Sequence, residues 1–289
     1  MNILYATDGS DGSLAAAHFL GRLPLGDDCH ICLLTVTETD GGEAEANAIL
    51  ARTQNALGET HARVSARIRR GDPTQQILEQ IQNGDHEGAT ADLVVVGTHG
   101  RGAIARLFLG SVAERVARHA PCPVLLARPL SSGELDQIVV GLDGSDNAAR
   151  ALDWVCDRLP LPPRGGAIHL LHVITPPMFL GFTDGVFVPA YSEVIAAALQ
   201  KESEDARKGL SRIVEQRKSG QIGGAAVRNL TTEVAPGDAA SILLDAARDH
   251  KADLLVVGSH GSTGLDRFLL GSVSEKVLRH ADCSVLIVR

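Results

Sequence analysis

Short, continuously apolar runs alternate along this chain with longer stretches in which apolar residues recur every three or four positions. In the first part the runs are Ile3 to Thr7, Ile31 to Val36, Val64 to Ile68, Leu93 to Val96 and Val124 to Ala127. The helix-period stretches between them are centred on Leu14 to Leu23, Glu43 to Leu57, Pro73 to Gln82 and Val112 to His119. Strands alternating with helices predict an α/β fold, a parallel sheet with helices on both faces. Leu93 to Val96 and Leu254 to Val257 show no polar alternation, which fits central parallel strands covered on both sides. Asp72-Pro73 and Asp238 read as helix starts, with Pro73 at the first helical position.

The pattern then repeats. Gly110 to Leu126 reads GSVAERVARHAPCPVLL and Gly271 to Ile287 reads GSVSEKVLRHADCSVLI, an offset of 161 (271 − 110). Ile3 to Ser10 (ILYATDGS) matches Ile138 to Ser145 (IVVGLDGS) at an offset of 135 (143 − 8). The 26-residue difference (161 − 135) places an insertion in the middle of the second half. Two repeated domains are therefore expected, 1–130 and 137–289, with 131–136 as linker and the insertion around 175–191. A length of 289 residues and a hydrophobic content of 44% are ample for two cores.

Charge and cysteines narrow the partners and the compartment. Lys plus Arg total 27 against 35 Asp plus Glu, a net charge of −8, so nucleic acid is not expected as a partner. No run approaches the roughly 20 apolar residues of a spanning helix, and the N-terminus has no basic region followed by an apolar core. A cytoplasmic protein with no membrane partner is the expectation. The five cysteines, Cys29, Cys32, Cys122, Cys156 and Cys283, show no disulfide spacing and read as buried or semi-buried thiols. Cys29 and Cys32, three apart in a strand-like run, are expected to point to opposite faces.

Both halves carry the same glycine ladder. Gly97-Thr98-His99-Gly100 is followed after nine residues by Gly110-Ser111, and Gly258-Ser259-His260-Gly261 by Gly271-Ser272 at the same spacing. Each ladder leaves an apolar run and leads into a helix, where backbone amides can approach and cradle a phosphate. Asp8 and Asp143 follow the first strand of each half, so a carboxylate and a cradle fall on one sheet edge. Each Asp can hold a ribose hydroxyl or a water of a bound metal.

At these residues the chain resembles the universal stress protein family, in its tandem form with two domains in one polypeptide. The resemblance rests on G-x-x-G, nine residues, G-[ST] in both halves. It extends to the D-G-S after each first strand, the G-D before the third helix and the closing R-H-A-x-C-x-V-L. It implies a five-stranded parallel sheet per domain, Rossmann-like and similar to the adenine nucleotide alpha hydrolases. It also implies ATP held between the ladder and the end of the first strand, with the base near the end of the second strand. The expected cofactor is ATP with Mg²⁺. The expected nucleotide-binding residues of the first half are Asp8, Val36, Gly97, His99, Gly100, Arg101, Gly110, Ser111 and Val124. In the second half they are Asp143, Val173, Gly258, His260, Gly261, Gly271, Ser272 and Val285.

Other readings stand beside this one. Ser111-x-x-Glu114 and Ser272-x-x-Glu275 are capping-box sequences, so each Ser can simply cap its helix. Neither ladder has the lysine of a P-loop, and Arg101 is answered by Ser262. Arg106 and Arg267 correspond but read as surface charges, and His99 and His260 as donors that fix the loop. No catalytic constellation emerges, and no metal-ligand set is assigned. The segment Thr175 to Tyr191 holds three of the six phenylalanines and reads as a flap or a partner-docking surface, followed by a helix from about Ser192 to Lys218 with a solvated charged face.

The last strands, Val124 to Ala127 and Val285 to Val288, would be exposed sheet edges, so the halves are expected to pair through them as an intramolecular pseudo-dimer. A homodimer of two chains stays open. An ATP-binding stress-response regulator or adaptor that binds a protein partner, with little or no hydrolysis, is the leading expectation. A slow ATPase or nucleotidyl transferase, and a non-nucleotide interaction module using the apolar insert, are the alternatives.

Overall fold

In the computed structural model each apolar run is a strand, and the strands of both halves join one sheet. The structure describes the chain outside residues 39–41, 85–89, 99, 101–108, 131–132, 160–165, 176–188, 220–228 and 262–269, and only the backbone of 189–195. The first half runs β1 (Asn2–Ala6), α1 (Asp11–Gly21), β2 (His30–Thr37), α2 (Glu43–Leu57), β3 (Arg63–Arg70), α3 (Pro73–Asn83), β4 (Leu93–Gly97), α4 (Ser111–His119) and β5 (Val124–Ala127). The second runs β6 (Gln137–Leu142), α5 (Asp146–Asp157), β7 (Ala167–Ile174), α6 (Pro189–Lys218), β8 (Asn229–Pro236), α7 (Ala239–Asp249), β9 (Leu254–Gly258), α8 (Ser272–His280) and β10 (Ser284–Val288).

The strand order is β3-β2-β1-β4-β5-β10-β9-β6-β7-β8. Pairing within each half is parallel, and β5 and β10 meet antiparallel, with Leu286 opposite Leu125 and Ile287 opposite Val124. Each half thus closes the other's open edge, which is the pseudo-dimer expected from the sequence. The chain order reverses between β1 and β4, and again between β6 and β9, so each half has a switch-point crevice at its carboxyl edge.

Alternating side chains feed two core layers. Ile3 and Tyr5 join the layer under α1, while Leu4 joins the layer under α3 and α4. Cys29 and Cys32 fall in different layers, as their spacing predicts, and all five cysteines are free thiols. Asp72 and Asp238 cap α3 and α7, each accepting from the backbone N–H three residues on, with Pro73 opening α3. The long helix begins at Pro189, three residues earlier than the sequence suggests.

The capping-box alternative is overturned. Gly110 and Gly271 occupy the N-cap positions, Ser111 and Ser272 are the first helical residues, and neither helix has a side-chain cap. The two glutamates turn elsewhere. Arg118 reaches Glu114 at 3.1 Å and Glu275 at 2.5 Å, while Arg279 reaches Glu114 at 2.6 Å and Glu275 at 3.3 Å. The S-x-x-E signal is therefore a product of the seam between halves, where four charges alternate in sign around the pseudo-two-fold axis.

Burial pushes the thiols up, Cys122 to about 12 and Cys156 and Cys283 to about 11. A raised pKa means that the folded state holds its proton more tightly than the unfolded chain. This stabilisation is complete below the unfolded value near 9.0 and is lost as pH climbs through about 11 to 12. Urea unfolding midpoints are expected to be flat from neutral pH to about 9 and to fall from there to about 11 to 12. Replacing Cys122, Cys156 and Cys283 by alanine should flatten the fall, although Tyr5, also raised by burial, will retain part of it.

Candidate functional site

Each crevice is built from the turn after the first strand and the ladder after the fourth. Asp8 and Asp143 start their turns in the same way. Asp8 Oδ1 accepts from Ser10 N at 3.0 Å and from Ser10 Oγ at 2.6 Å, and Asp143 Oδ1 accepts from Ser145 N at 3.0 Å and Ser145 Oγ at 2.5 Å. The same serines cap α1 and α5, accepting from Ser13 N and Ala148 N. Gly9 and Gly144 make the turn possible with φ of 71° and 78°, a left-handed conformation that glycine adopts without a steric penalty.

The ladder glycines have a different reason to be glycine. None of Gly97, Gly100, Gly110, Gly258, Gly261 and Gly271 has positive φ. A Cβ on Gly97 would sit 2.6 Å from the Gly12 carbonyl, and one on Gly258 2.9 Å from the Asn147 backbone, so these two let the fourth strand of each half reach the first helix. A Cβ on Gly100 would lie 2.8 Å from Asp8 Oδ2, and on Gly261 2.6 Å from Asp143 Oδ2. The second glycine of each ladder therefore lies directly against the carboxylate that the sequence placed on the same edge. Gly110 donates to the Thr98 carbonyl and Gly271 to the Ser259 carbonyl, both at 2.8 Å, which closes each ladder on itself.

Gly110 (φ −63°, ψ 140°) and Gly271 (φ −65°, ψ 154°) have backbone angles open to any residue. Each stands at the N-terminus of a nine-residue helix with no side-chain cap, beside an aspartate turn. The starts of α1, α3, α5 and α7 are all capped by side chains. Among the described helix starts, α2 at Gly42 also lacks one, but no ladder leads into it. First-turn N–H groups without a side-chain partner, at the positive end of a helix dipole, suit an anion. Glu114 and Glu275, in the same first turns, are neutralised by Arg118 and Arg279 across the seam.

Several expected residues gather here and others do not. Asp8, Gly97, Gly100, Gly110 and Ser111 come together, as do Asp143, Gly258, His260, Gly261, Gly271 and Ser272. His260 Nδ1 lies 3.0 Å from Ser259 Oγ, and the His260 carbonyl accepts from Asn147 Nδ2 at 3.2 Å. Val36 and Val173 lie near the carboxyl ends of β2 and β7, partly buried against the layer under α3, α4, α7 and α8.

Val124 and Val285 do not join the site. They are 0% and 2% exposed near the amino-terminal ends of β5 and β10, in register with Val94 and Leu255, and their side chains are spent on the core. His99, Arg101, Arg106, Ser262 and Arg267 lie outside the described residues, as does most of the apolar insert. Sequence reading missed Ser10, Ser145, Gly12 and Asn147. D-G-S just before a helix-period stretch carried an N-cap signal for the serines, whereas nothing local marked residues 12 and 147 as the surface against which a distant glycine packs.

The universal stress protein family model matches residues 1–128 and again 134–289. A universal stress protein of Mycolicibacterium smegmatis is 27% identical over 99% of this chain and 96% of its own length. A universal stress protein from Archaeoglobus fulgidus, 21% identical, superposes with a TM-score of 0.63 over 100% of this chain and 98% of that one, a likeness of fold. A further solved universal stress protein, in complex with cAMP, is 30% identical, covering 44% of this chain and 94% of that one with a TM-score of 0.33. Among the described residues no helix is long and apolar enough to cross a membrane. A doubled fold, a doubled ladder beside a doubled aspartate and two matched segments lead to one assignment: the chain belongs to the universal stress protein family, as a tandem member with two family domains in one polypeptide.

Proposed function

We propose that each half, 1–130 and 137–289, binds an adenine nucleotide, ATP with Mg²⁺, and that the bound nucleotide sets which protein partner this stress-response regulator engages in the cytoplasm. The observation that carries this reading is the uncapped start of α4 and α8 at Gly110 and Gly271, each next to an aspartate that touches the same ladder. The N–H groups of these first turns would take phosphate oxygens, and Asp8 or Asp143 would take a ribose hydroxyl or the hydration shell of the cation. A divalent cation would screen the carboxylate from the phosphates. Val36 and Val173 are the apolar neighbours available to the base. Without a P-loop lysine, and with Arg101 answered by Ser262, the site suits holding a nucleotide better than cleaving it.

The test is nucleotide content after native purification and ATP·Mg²⁺ titration calorimetry, on wild type and on Gly110→Val and Gly271→Val made separately. Valine adopts the observed backbone angles, and at Gly271 its Cβ would meet the Ser259 carbonyl at 3.2 Å, a tight approach that a backbone shift of a few tenths of an ångström relieves. The fold is expected to survive, while each variant loses one of two binding sites, with affinity there down about tenfold or more. If both variants keep wild-type occupancy with intact circular dichroism, the ladders serve the fold alone. Steady phosphate release abolished by Asp8→Asn or Asp143→Asn would instead favour the ATPase reading.

A further inference from the structure

The two halves differ on the sheet face opposite Val36 and Val173. In the first half α2 lies tight on α1: a Cβ on Gly21 would overlap the Leu57 carbonyl. The same helix covers the aspartate turn, where a Cβ on Gly9 would meet Arg52 at 2.7 Å and Ile49 at 3.0 Å. Thr7, 5% exposed, ties the layers further through Ser13 Oγ (3.2 Å) and Thr53 Oγ1 (2.9 Å). In the second half Thr7 is replaced by Leu142, and a Cβ on Gly144 would meet no atom within 4 Å among the described residues.

The helices there are clamped near their carboxyl-terminal ends. Arg217 of α6, with 3% of its side chain exposed, reaches Asp153 and, at 3.0 Å, Asp157 of α5. Between this clamp and the carboxyl edge lies a cavity of about 390 Å³. Leu142, Leu152, Leu210 and Ile213 give it aliphatic walls, and Gly209 lies in the middle of the α6 wall. A Cβ on Gly209 would also meet nothing within 4 Å among the described residues. Glycine inside a helix is destabilising relative to alanine. Here a larger side chain would have room, so the glycine keeps the space open.

We infer that this α5–α6 cavity is a second, separate ligand site, for a small amphipathic amine with one apolar ring or a short chain and one ammonium group. Its volume falls in the range of small-molecule pockets, about 300–1,000 Å³. The polar lining selects the charge. Asp205 lines the cavity, and the one lining guanidinium, Arg217, is outweighed by the two carboxylates it reaches, Asp153 and Asp157. Asp205, 62% exposed and 3.9 Å from Lys208, offers a loosely held carboxylate. An anion would meet net negative charge, whereas an ammonium would not. The site is distinct from the nucleotide crevice, sharing with it only the Gly144-Ser145 turn.

The probes are phenethylamine, phenethyl alcohol and phenylpropionate, titrated into the full chain by calorimetry and by the emission of Trp154, the single tryptophan, which lies on α5. The amine is expected to bind, the alcohol more weakly, and the acid about tenfold more weakly or not at all. Gly209→Leu, which gains helix propensity and fills the cavity, should keep the far-ultraviolet circular dichroism and lower amine affinity about tenfold or more. If it fails to fold, Gly209→Met, with a more flexible side chain, decides in its place. Gly271→Val, which acts on the nucleotide cradle, should leave the amine isotherm unchanged. The inference is overturned if wild type binds no amine, if phenylpropionate binds as tightly, or if a folded cavity-filled variant binds as wild type does.

Discussion

Gly97→Val is expected to destabilise the protein by about 3 kcal/mol or more, at the upper end of what overpacking does. The added Cβ would stand 2.6 Å from the Gly12 carbonyl and 2.7 Å from Ser13 N, both on the backbone of α1. That backbone has little room to retreat. The Tyr5 hydroxyl donates to the Ser13 carbonyl, Ser10 caps the helix, and Ser13 Oγ donates to the Ser10 carbonyl at 3.0 Å. Gly258→Val should behave alike, at 2.9 Å from Asn147. Urea unfolding followed by circular dichroism measures the loss. If even Gly97→Ala lies within about 0.5 kcal/mol of wild type, the close approach of β4 to α1 is not what requires glycine there. Gly110→Ala is the milder comparison: its backbone angles are ordinary, so its stability effect should be the smaller one.

Asp153→Asn combined with Asp157→Asn is expected to lower stability by about 3 kcal/mol, because it removes both carboxylate charges that the buried Arg217 guanidinium reaches. Arg217→Met should cost about 1 kcal/mol or less. The asymmetry follows from burial: the Arg217 side chain is 3% exposed, against 56% for Asp153 and 33% for Asp157. Once their partner is gone the carboxylates can turn to water, and methionine fills much of the arginine stem's volume. Urea unfolding of both variants in low and high salt checks the order. Equal losses would mean that the clamp acts through packing of the arginine stem and not through charge.

Much of the architecture was legible because parallel strands covered on both faces must be apolar throughout, and helices covered on one face must be periodic. The helix over Glu43–Leu57 and the strand over Val124–Ala127 have the bounds the pattern suggested. The exchange of edges by β5 and β10 was legible too, since an unpaired edge needs a partner and the repeat supplied one. The candidate site was legible in its residue types but not in their reasons. Glycines look alike in a sequence whether they turn the chain, admit a neighbouring backbone or lie beside a bound phosphate. Only dihedrals and distances separate Gly9, with positive φ, from Gly97, which packs on α1. Val124 and Val285 show the same limit: an apolar residue in a repeated motif reads equally well as core or as pocket wall.

By itself the sequence determined the doubled α/β fold and the pairing of an aspartate with a glycine ladder in each half. These follow from local periodicity and from repetition, which neighbouring residues encode. Only the tertiary structure decided that Glu114 and Glu275 bind arginines across the seam, that the starts of α4 and α8 lack side-chain caps, and that α5 and α6 part around a cavity where α1 and α2 close. The first depends on groups 157 residues apart in the chain, Arg118 and Glu275, and the last on how separate helices pack. Such distances are set by how whole layers pack, which no local pattern records.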